Sequence, residues 1–143
     1  MALSKDFHVW NEEKKAVENN YREGSLDWLL AETVKACLKE AEAEDVTPEM
    51  LFDDNKVRHT AMIRGYLIFS FYNLLKGKLG LDVSEARVAG NMFCRGRNTT
   101  LYFIEKDEDA KDGNYITVRD SWFGRRVKKH IEDFLVKSQG MFW

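Results

Sequence analysis

The sequence contains very little proline and cysteine. Its 143 residues include one proline, Pro48, and two cysteines, Cys37 and Cys94. Because proline interrupts a helix in its interior, this scarcity favours a mostly helical fold. The cysteines lack the spacing and the partners of a zinc site, so we expect no metal. With no signal peptide in view, they are interpreted as reduced thiols of a cytoplasmic protein.

Long apolar runs and catalytic motifs are also missing. The longest apolar run, residues 66–75, is roughly half the length that a bilayer crossing needs, so we expect no membrane partner. The chain has no HExxH, GxSxG or P-loop motif and no Cys-His pair at a recognisable spacing. His59 and His130 are interpreted as ordinary surface or boundary residues. We therefore expect a protein that is not an enzyme and needs no cofactor.

The charges are segregated along the chain. Apolar residues make up 44% and charged residues 32% with a net charge of −2, which is typical of one soluble domain. Residues 40–54 contain seven acids and no base, whereas residues 117–130 contain five bases and one acid. Separate basic patches keep nucleic-acid binding open for a chain that is mildly acidic overall.

Helix-capping residues and apolar periodicity predict an all-α fold of about six helices. Ser25 caps a helix with one continuous apolar face, and Thr47 followed by Pro48 opens a short one. A long central helix covers about residues 56–76, and a final helix starts near Ser121. Further short helices are expected over residues 10–22, from 84 to about 89, and over 99–106. We interpret residues 1–24 as an N-terminal extension, 25–138 as the helical domain and 139–143 as an apolar tail.

Residues 84–106 have the pattern of a helix-turn-helix, with Gly90 at the turn. Asn98 is a good N-cap for the second helix, and Arg95 and Arg97 precede it. The N-terminal end of such a helix attracts phosphate and contacts base edges in the major groove. Arginine pairs with guanine or phosphate, and asparagine with adenine. The candidate DNA-binding residues in this segment are Arg95, Arg97, Asn98, Thr99, Thr100 and Lys106.

The predicted helices follow one another in an order that resembles the C-terminal DNA-binding domain of the bacterial replication initiator DnaA. The stretch VTPEML (residues 46–51) is similar to the family's "VS-x-E-x-L", and AGNMF (89–93) to "IG-x-x-F". The stretch RNTTL (97–101) takes the place of "DHTTV". The resemblance covers about residues 25–138 and implies a Trp-repressor-like helix-turn-helix around a long helix, without the ATPase module.

The resemblance also implies how DNA is bound. Arg58 and Arg64 lie where the family has arginines that touch the DNA backbone or the adjacent minor groove. Arg97-Asn98 replaces the family's Asp-His pair and Phe103 replaces a later histidine, so the target sequence should differ. The predicted function is double-stranded DNA binding in replication or transcription control of a bacterium or mobile element.

Alternative interpretations remain open for each of these features. Arg95 and Arg97 can also be interpreted as residues of a solvated turn. Residues 98–100 can be interpreted as a plain helix cap. Arg58 and Arg64 fit pairing with the acidic stretch 40–54. The alternative function is a helical protein–protein adaptor that does not bind DNA.

The last predicted helix allows two interpretations of its basic side. Arg125, Arg126, Lys128 and Lys129 form either a second phosphate-binding surface or the solvated side of an amphipathic helix. The predicted inward residues are Phe123, Val127, Ile131, Phe134 and Leu135, with Trp122 as a further core anchor. The apolar residues 141–143 are expected to dock on the same domain or on a dimer mate.

Overall fold

A computed structural model describes residue 3 and residues 6–53, 57–75, 85–94 and 121–141. These residues form five helices and a two-stranded antiparallel sheet, and 63% of them are helical. The mostly helical prediction is confirmed at this level, whereas the sheet was not predicted. About six helices were expected, and one of them, over residues 99–106, lies outside the described ranges. Among the helices described, none is both long and apolar enough to cross a membrane.

The N-terminal residues form a β-hairpin. Strand β1 (Trp10–Asn11) pairs with strand β2 (Ala16–Val17), with Trp10 opposite Val17. The helix predicted over residues 10–22 is therefore wrong here. Lys15 adopts a positive φ of 51° in the connecting turn, a conformation that a helix does not contain.

The residues before and within β1 belong to the main core. Leu3, Phe7, Val9 and Trp10 are between 1% and 6% exposed and join the same hydrophobic cluster as the helices. His8, between Phe7 and Val9, is exposed. This alternation is typical of extended chain that packs one side on a core. The segment interpreted as an extension therefore helps to build the fold.

The first two helices begin at the predicted caps. Helix α1 (Leu26–Glu42) starts after Ser25, whose Oγ accepts a hydrogen bond from the Trp28 amide at 3.1 Å. Helix α2 (Pro48–Phe52) starts after Thr47, whose Oγ1 accepts from the Met50 amide at 3.3 Å. Each cap satisfies an amide that has no partner inside the helix.

The long apolar helix lies at the centre, as predicted. Helix α3 (Arg58–Leu75) packs against α2, against α4 (Glu85–Asn91) and against α5 (Trp122–Lys137). Helix α5 also packs along α1. The predicted cap of α5 is confirmed, because Ser121 Oγ accepts from the Gly124 amide at 3.1 Å. One side of α5 is thus fixed on two other helices, and its opposite side faces solvent.

Candidate nucleic-acid interface

The start of α5 is anchored to the central helix. Phe123 is 2% exposed and meets Tyr66 edge to face, with ring centroids 6.0 Å apart. The Tyr66 hydroxyl donates to the Gly124 carbonyl at 3.3 Å. Val127 and Phe134 continue the buried side of the helix. These contacts set which residues of α5 point outward.

The outward side of α5 begins with a group of exposed bases. Arg125, Arg126, Lys128 and Lys129 are all exposed, and the first turn contains no acid. A helix N-terminus carries positive potential and favours acids in its first turn. The bases therefore add to this potential instead of offsetting it.

Two of these four bases have no acidic partner in the described part of the chain. Arg126 pairs with Glu40, and Lys128 Nζ lies 3.9 Å from a carboxylate oxygen of Glu132. Arg125 and Lys129 form no such pair there, although Arg125 Nε has a long hydrogen bond of 3.5 Å to the Ser121 carbonyl. Their positive charge is directed to solvent and is not neutralised by an acid of the described residues.

Glu40 of α1 fixes the adjoining edge of α5. Its carboxylate accepts from Arg126 Nε through one oxygen and lies 3.0 Å from His130 Nε2 through the other. The Glu40 side chain is only 11% exposed. The hydrogen bond from Arg126 lowers the pKa of Glu40, the one from His130 lowers it further, and burial opposes both. Glu40 is therefore ionised at neutral pH and holds the two helices together.

Trp122 is exposed, in contrast to the prediction that it anchors the core. It is 63% exposed, while its neighbour Phe123 is buried as predicted. The Arg126 guanidinium lies over the indole ring, 5.4 Å from its centroid. Leu135, also predicted to face inward, is 37% exposed because it lies on the outer side of the helix.

A cavity of about 410 Å³ opens beside these residues. It is lined by Glu40, Trp122, Arg125, Arg126, Lys129 and His130. Its walls combine an aromatic ring with several bases, and its one acid already pairs with two of them. This composition suits a ligand that carries both a planar ring and negative charge.

A second cavity, of about 420 Å³, has a different character. Apolar side chains of the hairpin, α1 and α2 form part of its wall, and its charged residues are Lys15, Lys35, Lys39, Glu42 and Glu49. Because its lining contains two acids as well as three bases, it is less suited to a polyanion than the cavity beside α5.

Two of the residues predicted to bind DNA lie in the described ranges. Arg58 is exposed at the start of α3. Arg64 is only 6% exposed, so the two arginines do not share an exposed face. The other predicted residues, Arg95, Arg97, Asn98, Thr99, Thr100 and Lys106, lie outside the described ranges.

Arg64 serves the end of helix α2. Its Nε donates to the Leu51 carbonyl at 2.9 Å, and its Nη2 donates to the carbonyls of Met50 at 2.9 Å and Asp53 at 3.3 Å. These carbonyls lie at or just beyond the last turn of α2, where a helix has no N–H donors of its own for its carbonyl oxygens. The DNA contact predicted for Arg64 is therefore not supported by its position.

The first helix of the expected helix-turn-helix is present as α4. Val88 and Ala89 are buried on its inner side, and Met92 and Phe93 are buried just after its end. Gly90, predicted at the turn, lies inside the helix. The chain turns instead at residues 92–94, where Cys94 has a positive φ of 58°. The expected second helix lies outside the described residues.

The buried cysteine supports no nucleophilic chemistry. Burial raises the pKa of the Cys37 thiol to about 12, so the thiol stays protonated at neutral pH. Among the residues that the structure describes, no group of histidines, cysteines and acids is arranged to hold a metal ion.

Comparisons with known proteins add no family to this description. No family model, no curated protein and no solved structure matches the chain. The resemblance to the DnaA domain therefore stays a prediction from the residues that carry it.

The Glu40 contacts predict a pH dependence of stability. Since the pKa of Glu40 is lowered in the folded protein, its contribution is present above the ordinary value of 4.5 and is lost as the pH falls through the folded value. Glu40→Gln should therefore lose less stability than the wild type between about pH 7 and about pH 3. Urea unfolding followed by far-UV circular dichroism at several pH values measures this difference.

Other acids with lowered pKa values, such as Glu12, Glu18 and Glu32, are present in both proteins and cancel in the comparison. If the free energy of unfolding changed with pH in the same way for Glu40→Gln and the wild type, the assigned role of Glu40 would be contradicted.

Proposed function

We propose that this protein binds double-stranded DNA and that the N-terminal half of α5 contacts the phosphate backbone. The observation that carries the proposal is the exposed pair Arg125 and Lys129, which lack acidic partners in the described part of the chain. Neutralising phosphates with such bases releases counterions and supplies most of the non-specific affinity for DNA. The anchoring of α5 by Tyr66 and Glu40 presents both bases on a rigid element.

In this proposal, base contacts come from the segment that follows α4. Arg97, Asn98 and Thr99 remain the predicted residues for the major groove. Met92 and Phe93, which shortly precede this segment in the chain, are buried. Arg58, exposed on α3, remains a predicted backbone contact, whereas Arg64 is left out.

A protein–protein adaptor is the second candidate, and exposed apolar side chains favour it. Val136 is 68% exposed and Val57 is 59% exposed. Met141 packs partly buried against the core, so at least this residue of the apolar tail docks on its own domain. An apolar docking surface should respond weakly to salt, whereas phosphate contacts respond strongly.

The proposal predicts how a double substitution changes DNA binding. Arg125→Gln with Lys129→Gln should weaken binding to a duplex of about 20 base pairs and reduce the slope of log affinity against log salt by about two. Fluorescence anisotropy with a labelled duplex, at salt concentrations from about 50 to about 200 mM, measures both quantities.

A matched control removes the same charge outside the N-terminal half of α5. Lys14 and Lys137 are already paired with acids, Glu18 at 3.2 Å and Asp133 at 2.8 Å. Lys14→Gln with Lys137→Gln should leave the slope nearly unchanged. Equal losses in the two double variants would show that net charge matters and that the position of Arg125 and Lys129 on the N-terminal half of α5 does not. Salt-independent binding, or none at low salt, would exclude the proposed function.

A further inference from the structure

The cavity beside Trp122 has features that duplex binding alone does not require. A phosphate backbone needs positive charge, which Arg125 and Lys129 provide, but it makes no use of an exposed indole. Trp122 nevertheless exposes 63% of its surface at the first position of α5. Tryptophan is enriched at binding surfaces, because its indole combines a large apolar face with a polar N–H.

The indole is held in place before any ligand binds. The Arg126 guanidinium lies over the ring at 5.4 Å and is itself fixed by the carboxylate of Glu40. His130 contacts the same carboxylate at 3.0 Å. Because these contacts restrict the side chain in advance, a ligand stacking on the ring loses less conformational freedom on binding.

Arg125 and Lys129, which pair with no acid of the described residues, line the same cavity as this ring. Trp122, Arg125 and Lys129 are spaced by three and four residues, which places them on the same side of a helix. All three line the cavity, whose volume of about 410 Å³ falls in the range of small-ligand sites. A planar ring over Trp122 would therefore have bases within reach of an attached phosphate.

We propose that this cavity binds an unpaired nucleobase, which stacks on Trp122 while Arg125 and Lys129 contact its flanking phosphates. The inference rests on the proposed DNA binding and names the preferred substrate as DNA with an unpaired base. In an intact duplex each base is stacked between neighbours, so its face is not available to the indole. Aromatic stacking of this kind accepts any base, since every base has a π-face. The charge of Glu40 does not oppose the phosphates, because Arg126 offsets it.

The experiment compares two labelled DNAs that differ only in one extra thymine. One is a blunt duplex of about 20 base pairs and the other is the same duplex with a single-thymine bulge. In fluorescence anisotropy at fixed salt, the wild type should bind the bulged duplex about tenfold more tightly than the blunt duplex. Trp122→Ala should bind the blunt duplex like the wild type and lose the preference, whereas Trp122→Phe should keep part of it. Val136→Ala, exposed on the same helix, should keep all of it.

The outcomes separate this inference from the proposed function. Equal affinity of the wild type for both DNAs, with salt-dependent duplex binding intact, would overturn the unpaired-base site and leave the proposed function standing. A preference that survives in Trp122→Ala would overturn the role of the indole. Absence of binding to either DNA would overturn both proposals. Circular dichroism of each variant confirms that the fold is retained.

Discussion

Replacing Phe52 with alanine is expected to lower the free energy of unfolding by about 3–5 kcal/mol. Phe52, at the end of α2, is 3% exposed and stacks on Trp10 of the hairpin with ring centroids 4.8 Å apart. On its other side it stacks on Phe93 at 5.7 Å, and Phe93 meets Phe71 of α3 at 6.2 Å. One side chain thus connects the hairpin, α2, the turn after α4 and the central helix.

The loss has two physical sources. Removing the ring takes away buried apolar area and leaves a cavity that a short helix such as α2 fills only in part. It also removes two stacked aromatic pairs, which contribute beyond their buried area. Chemical denaturation followed by circular dichroism measures the change.

Two further variants test the explanation. Phe52→Leu keeps an apolar side chain in the stack and should lose clearly less stability than Phe52→Ala. Val136→Ala, at a position 68% exposed, should change the free energy of unfolding by less than about 0.5 kcal/mol. If Phe52→Ala behaved like Val136→Ala, the aromatic stack would not hold these elements together.

Replacing Arg64 with methionine is expected to lower the free energy of unfolding by about 2–4 kcal/mol. Methionine keeps much of the apolar stem but has no donors. The carbonyls of Met50, Leu51 and Asp53 would then lose the guanidinium that they now share, and buried acceptors without partners are costly. The measurement is again chemical denaturation, with Arg22→Met as a control at an exposed position.

Lysine at position 64 separates the structural role from DNA binding. Arg64→Lys keeps the charge but not the planar set of donors, so its stability should fall between those of the wild type and Arg64→Met. Its affinity for duplex DNA should equal that of the wild type once the protein is folded. A selective loss of DNA affinity in a fully folded Arg64→Lys would restore the contact predicted from the sequence.

The sequence predicted the helices that begin with clear local chemistry. Ser25, Thr47 and Ser121 cap their helices as expected, because a hydroxyl accepts the orphan amide three residues later whatever surrounds it. The nearly uniform apolar character of the second half of α3 likewise indicated a central helix, since only a surrounded helix can bury every side. These signals depend on neighbouring residues in the chain.

The sequence missed the features that depend on distant residues. Strands of two residues carry little pattern, and the hairpin is positioned by the stacking of Trp10 on Phe52, 42 positions later. Arg64 was expected at a DNA surface, because no local pattern indicates that its side chain would reach the end of α2. The site around Trp122 was predicted only as a basic helix side, with the indole on the wrong face.

The amino-acid sequence by itself determined a mostly helical chain, the start of three of its helices and the concentration of bases on the last one. Helix caps and charge follow from residues a few positions apart, so they are readable along the chain. Only the tertiary structure decided that Arg64 turns inward, that Trp122 turns outward, and that Glu40 fixes Arg126 across two helices. Each of these results depends on how α1, α2, α3 and α5 are rotated in packing, and a rotation of one residue changes which side chain meets the core.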